Sequence, residues 1–319
     1  MKMWLRGNFD RLLRGTALLG LSALMTVAAY SQQIADPDFK PLIKQPAYAE
    51  GRGPLVLVDA AHNNFHTVDG RYQPFGELLR RDGYIVRGST EKFSLAALKD
   101  AKVLVISNAL NDRNANDWSL PTPSAFTDEE IAAVREWVNK GGSLFLIADH
   151  MPMAGAAQKL GEAFGIRWNN GFAVDTKVQS GGRLVFKRSD GSLKDHAVTR
   201  GRSSEERIDT VVTFTGSAFQ LLDKRAQALA VFPSQIVALM PQVAGQFKDD
   251  TPRVPVGGWS QLAVMKFGKG RIALSGEAAM FSAQVSGPNR NKMGMNSPDA
   301  PQNVQFLLNL MHWLTGVLN

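Results

Sequence analysis

Between residues 54 and 316 the chain alternates two hydrophobic rhythms. Four apolar runs of strand length, Leu55-Val-Leu-Val-Asp59, Val103-Leu-Val-Ile-Ser107, Ser143-Leu-Phe-Leu-Ile-Ala148 and Arg271-Ile-Ala-Leu-Ser275, lack polar alternation. That pattern suits strands buried on both faces of a sheet. Between them the spacing turns helical. Residues 73–82 place Phe75, Leu78 and Leu79 on one face, and Gly83 supplies a stop. Thr127-Asp-Glu-Glu130 forms a capping box, Phe126 and Ile131 a hydrophobic staple, and Gly141-Gly142 ends that helix near residue 140. Residues 303–315 carry Val304, Leu307, Leu308, Met311 and Leu314 at helical spacing before Gly316. Strands alternating with helices predict right-handed crossovers and an α/β, doubly wound, mainly parallel sheet.

Residues 171–262 break this rhythm. Arg183-Leu-Val-Phe-Lys187, Asp209-Thr-Val-Val-Thr-Phe214 and Gln235-Ile-Val-Ala-Leu-Met240 read as short strands between polar turns, a β-rich elaboration of the second half. Leu262–Phe267 and Arg271–Ser275 form a hairpin around Gly268-Lys-Gly270. The Gly/Pro-rich stretch 284–302 is long and polar, which predicts a lid. Residues 32–53, with Pro37, Pro41 and Pro46, predict an extended lead-in over the surface. Lys2, Arg6, Arg11 and Arg14 precede the apolar run Thr16–Tyr30, and Ala29-Tyr30-Ser31 offers a small-residue cleavage point. Residues 1–31 therefore predict a cleaved signal peptide and a periplasmic or secreted protein with no stable membrane span. Residues 54–319 form the expected folded domain.

Composition removes several classes. The 319 residues contain no Cys, which excludes disulfide frameworks, Cys-ligated metal and any thiol nucleophile. The formal charge is +7; Lys2, Arg6, Arg11 and Arg14 against Asp10 account for three of it, so the remainder carries +4. That is a weak footprint for nucleic acid, and none is expected as a partner. Gly-x-Ser-x-Gly, Gly-x-x-x-x-Gly-Lys-[Ser/Thr] and Gly-x-Gly-x-x-Gly are all missing after the leader, so no nucleotide cofactor is expected.

In a parallel sheet, ligands bind outside the carboxyl ends of the strands. The residues there include His62, Asn63, Asn64, His66, Arg71 and Tyr72 after the first strand, and Asn108, Asn111 and Trp118 after the second. Asp149 and His150 come after the third, and Glu277 after the 271–275 strand. Two readings stand side by side. His62 and His66 with Asp149 or His150 supply ligands for one divalent metal, whose bound water would be the nucleophile. Alternatively His150, Asp149 and Glu277 form a metal-free acid–base site. Asn63, Asn64, Asn108 and Asn111 could hydrogen-bond a polyhydroxylated ligand, Trp118 or Tyr72 could stack on a sugar face, and Arg71 could hold an anionic group.

The order of these segments, with Lys140-Gly-Gly-Ser-Leu-Phe-Leu-Ile147 and the late Gly268-Lys-Gly-Arg-Ile-Ala-Leu-Ser-Gly276, resembles the class I glutamine amidotransferase-like superfamily. It is most similar to the branch with trehalose-utilisation-type and sugar-binding-type relatives. The resemblance implies a flavodoxin-like sheet and a site at the turn after residues 143–148. In true amidotransferases that turn carries a cysteine; here it reads Ala148-Asp149-His150, which excludes glutamine hydrolysis through a thioester. The expected function is an exported, hydrolase-like enzyme on a polar carbohydrate or cell-envelope-derived ligand. The alternative is a non-catalytic glycan-binding or sensor domain.

Overall fold

A computed structural model describes residues 33–177 and 183–319. The expected signal peptide, 1–31, lies outside the described residues. The main sheet has nine strands: β1 (Leu55–Asp59), β2 (Ile85–Ser89), β3 (Val103–Ser107), β4 (Ser143–Ile147), β5 (Ile166–Trp168), β6 (Phe219–Leu221), β7 (Ala226–Val231), β8 (Ser260–Phe267) and β9 (Gly270–Ser275). Its helices are α1 (Gln73–Arg81), α2 (Asp128–Asn139), α3 (Met153–Glu162) and α4 (Asn303–Thr315). Five strands run parallel in the order β2-β1-β3-β4-β9, the flavodoxin-like sequence. Beyond β9 the sheet turns antiparallel through β8, which pairs with both β6 and β7. Strand β6 in turn pairs with β5 at the far edge.

The strands carry unbroken apolar runs because both faces are covered. On β4, Phe145 and Ile147 enter the core shared with α1 and α4, while Leu144 and Leu146 enter the core shared with α2 and α3. Strand β3 divides the same way, Val103 and Val105 against Leu104 and Ile106. Two expected turns hold in detail. Thr127 and Glu130 cap α2 reciprocally, and α4 stops at Gly316 with φ 86°. Strand β2 has no long apolar run, since Arg87 and Gly88 interrupt it, and its place at the sheet edge explains why.

Residues 284–302 do not form a lid. Ala283–Ser286 and Asn291–Gly294 pair as a hairpin, and the lead-in adds Ile34–Ala35 as a third antiparallel strand. Asn296 fixes the junction by donating to the Asp36 carboxylate at 2.9 Å. The lead-in is also held at its other end: Ala47 N–H donates to Asp82, and Asp82 binds His312 of α4 at 2.7 Å. The polar composition of 284–302 reflects a two-stranded surface ribbon rather than a mobile cover.

His62 serves as a strut. Its Nδ1 lies 2.9 Å from Asp59 at the end of β1, and its Nε2 lies 2.9 Å from Glu130 in the first turn of α2. Phe93 and Phe126 pack on the ring. Burial opposes charge on this imidazole, yet the hydrogen bonds and charges of Asp59 and Glu130 outweigh it and raise the pKa above 6.5. Burial likewise pushes Glu130 up, but donors from Thr127, His62 and Phe93 hold its pKa below 4.5 overall. The ion pair thus contributes fully below about pH 6.5 and fades as pH rises through the raised His62 value; at the acid end it fades as pH falls through the lowered Glu130 value. His62→Ala strands two buried carboxylates and should cost about 3–5 kcal/mol near pH 5.5. Denaturant titrations from pH 4.5 to 9 should show the gap between wild type and variant shrinking on the alkaline side. A gap constant with pH would refute the charged strut.

Candidate functional site at the carboxyl rim

The parallel register aligns Ser107, Ile147 and Ser275 in one row, so the segments leaving these strands meet at one edge. The ladder continues one step further, with Asn108 N–H donating to Ile147 and Ala148 N–H to Ser275. Gly276 is required here, since a Cβ would stand 2.3 Å from the Ser217 carbonyl oxygen. Asp149 and Glu277 emerge directly above this row.

Beneath the rim lies a buried polar nest. Asn108, in left-handed backbone with φ 51°, accepts from Asp149 N–H at 2.9 Å and donates to His66 Nδ1 at 3.3 Å. Burial, with the nearby Arg71 charge, drives the His66 pKa down to about 3, so this ring is neutral at physiological pH. Tyr72 is buried against His66 and Phe75, and its hydroxyl donates to Ala278 at 2.8 Å. Glu277 is 0% exposed, and its two oxygens accept Ala279 and Met280 N–H at 2.8 and 2.7 Å. Burial first, and the Asp149 charge second, raise the Glu277 pKa well above the usual carboxylate range despite those donors. Asp149 binds the backbone N–H of His150 at 2.7 Å rather than its imidazole.

Above the nest runs an aromatic band. The Arg71 guanidinium sits 3.8 Å over the Phe65 ring, and Phe65 meets Trp118 edge-on at 5.5 Å. Trp118 lies 6.3 Å from His150, which stacks on Phe172 at 4.1 Å and 17°; Phe172 meets Phe247 at 5.1 Å. Phe65, Trp118 and His150 are half-buried, and Phe247 is 46% exposed. His150 Nδ1 donates to the Met151 carbonyl at 2.7 Å, and Nε2 has no hydrogen-bond partner among the described residues.

The expected residues therefore divide. His62 is withdrawn as a metal ligand: both ring nitrogens are committed to carboxylates, and coordination would require breaking one of those bonds. His66 is buried in the nest with Asn108 on its Nδ1. Among the described residues, no three or more His, Asp and Glu side chains are arranged to hold a metal ion. Tyr72 presents no face to a sugar, because it is core. Asn64 spends its amide on Asp59 and on His62 N–H, Asn108 on His66 and Asp149, and Asn111 on Ser124 and Arg113, so all three shape loops rather than meet ligand. Glu277 is sealed from the surface. Asn63, Arg71, Trp118 and His150 do reach the rim. Phe65, Phe172 and Phe247 were not anticipated: single aromatics in loops or at a strand end carry no periodic signal, and the segment before Phe247 meets the Trp118 loop through the Val243–Ser119 bridge.

No protein-family model and no curated protein matches the chain. Solved structures do. The mmIFT52 N-terminal domain is similar at TM-score 0.55 and 14% identity, over 82% of this chain and 97% of that one. A putative ThuA-like protein from Bacteroides uniformis is similar at TM-score 0.44 and 13% identity, over 86% and 94%. A putative GMP synthase protein from Thermoplasma acidophilum is similar at TM-score 0.40 and 10% identity, over 82% and 96%. At such identities likeness shows fold alone. The chain has a mixed α/β fold with a parallel core and added antiparallel strands.

Proposed function

We propose that the protein is an exported binding domain that holds a polar carbohydrate or cell-envelope-derived ligand at the carboxyl rim. The observation that carries this reading is the band Phe65–Trp118–His150–Phe172–Phe247, with Arg71 at one end. Aromatic faces offer rigid apolar area to the C–H side of a sugar ring at low entropic cost. His150 Nε2 accepts a hydroxyl, and Asn63, held by Asp112 at 2.8 Å, adds an amide at the fringe. Export rests on the basic start and apolar run before residue 31. Among the described residues, no helix is long and apolar enough to cross a membrane.

Binding is favoured over catalysis because the rim lacks an oriented acid–base pair. Among the described residues no carboxylate meets the His150 imidazole; Asp149 accepts from the backbone N–H of His150 and of Ala278 instead. Calorimetry against neutral oligosaccharides and soluble muropeptides should find a ligand. Phe247→Ala and Trp118→Ala should each weaken it at least tenfold, about 1.4 kcal/mol. Phe247 is exposed enough that its variant should melt with the wild type. Retained affinity in both variants, or no ligand in either panel, would overturn the reading.

One observation favours a second reading, hydrolysis. Burial and the neighbouring Asp149 raise the Glu277 pKa well above the usual carboxylate range, a pairing of unlike carboxyl environments that acid–base chemistry uses. On this reading nitrophenyl glycosides or acetyl esters are turned over, and Asp149→Asn and Glu277→Gln each lower kcat by about 10²-fold or more. Undiminished turnover in both would remove the pair from catalysis.

A further inference from the structure

The hairpin 283–294 and the lead-in strand it holds enclose a cleft of about 390 Å³, separate from the residues of the aromatic band. Three cations line it: Lys40 from the lead-in, Arg290 from the hairpin tip and Lys292 from its second strand. All three are exposed, and among the described residues none forms an ion pair with a carboxylate. Phe39, Pro41 and Val285 supply apolar walls. Phe39 packs against the core beneath and Val285 is buried in the hairpin, so those walls are fixed.

Two carboxylates share the lining, and they behave differently. Asp36 is buried and turned inward, with one oxygen on Asp38 N–H at 3.2 Å and the other on Asn296 at 2.9 Å. It anchors the wall and has little left for a ligand. Asp38 is exposed and opposes three cations alone. The free charge in the cleft is therefore positive. Unpaired ammonium and guanidinium groups around an apolar floor fit an anion carried on an apolar body, and three cations suit a dianion better than a single carboxylate.

We propose that this cleft is a second ligand site, which takes a phosphate monoester through Lys40, Arg290 and Lys292 while Phe39 and Val285 hold its apolar substituent. The lead-in supplies one cation and the hairpin two, so occupancy also fastens the first described strand to the body. The proposal is independent of what the aromatic band binds.

Isothermal titration of the full-length chain with butyl phosphate and with inorganic phosphate tests it. Butyl phosphate should bind several-fold more tightly than inorganic phosphate, since only the ester reaches the apolar walls. The exposed double variant Arg290→Ala/Lys292→Ala should lose at least tenfold in affinity with an unchanged melting temperature. Asp38→Asn should tighten binding, because the opposing charge is gone. No binding of butyl phosphate, equal affinity in the double variant, or weaker binding in Asp38→Asn would each overturn the proposal, the last because Asp38 would then not act as an opposing charge in the cleft. Sedimentation with vesicles containing phosphatidic acid, whose headgroup is itself a phosphate monoester, separates the sources of the group. Vesicle retention lost in the double variant and competed by butyl phosphate supports a lipid headgroup. Solution binding without any difference in sedimentation supports a soluble ester.

Discussion

The shared register of β3, β4 and β9 is the constraint on which the rest of the structure depends. Because Ser107, Ile147 and Ser275 stand in one row, the chain must leave the sheet three times within a strand spacing or two. Each exit presents backbone groups that the ladder no longer satisfies, and they need partners. Asn108 answers for Asp149, the Glu277 carboxylate for Ala279 and Met280, and the Ser217 hydroxyl for the Ala148 carbonyl. Polar side chains gather at this edge first to finish the hydrogen bonding of the sheet. Their convergence is a property of the fold before it is a property of any ligand.

That distinction explains what was legible in the sequence and what was not. Runs such as Ser143–Ala148 announce a strand buried on both faces through composition alone, and Thr127/Glu130 announces a helix start through local spacing, so the parallel core and α2 could be read directly. The edge of the sheet could also be located. Which residues on it face solvent could not, because exposure depends on partners far away in the chain. Tyr72 is core because Phe75 of α1 and His66 of the preceding loop pack against its ring. His62 is a strut because Glu130, the same residue that closes the capping box, has a second carboxylate oxygen to offer 68 positions later. A capping-box glutamate with one oxygen to spare is a signal that could have been weighed, since a buried acid seeks a second partner.

The two imidazoles that drew attention as ligands show the same physics with opposite outcomes. Two flanking carboxylates raise the His62 pKa, whereas burial near Arg71 lowers that of His66, which has only an amide on Nδ1. Neither leaves an unshared nitrogen at the surface beside a third donor. His150 differs from both: one nitrogen is tied to its neighbour's carbonyl, the ring is stacked flat on Phe172, and the other nitrogen stays open. Rigid orientation with one free acceptor is what recognition of a hydroxyl needs; a base for catalysis needs in addition a group that stabilises its protonated form.

An aromatic rim over a sealed polar nest also separates affinity from stability. Removing a nest residue leaves buried partners unpaired, which costs folding energy whatever the ligand does. The outer aromatics are different, since Phe247 is largely outside the core and Trp118 caps only the small cluster of Leu110, Met153 and Ala156. On the proposed reading, sequence change retunes what the rim holds by exchanging outer rings, while Asn108, Tyr72 and Glu277 stay fixed by the hydrogen bonding of the sheet edge. A scaffold so divided can keep its architecture while its outer rings change, which is consistent with its likeness in fold to a structure of 14% identity over 82% of this chain.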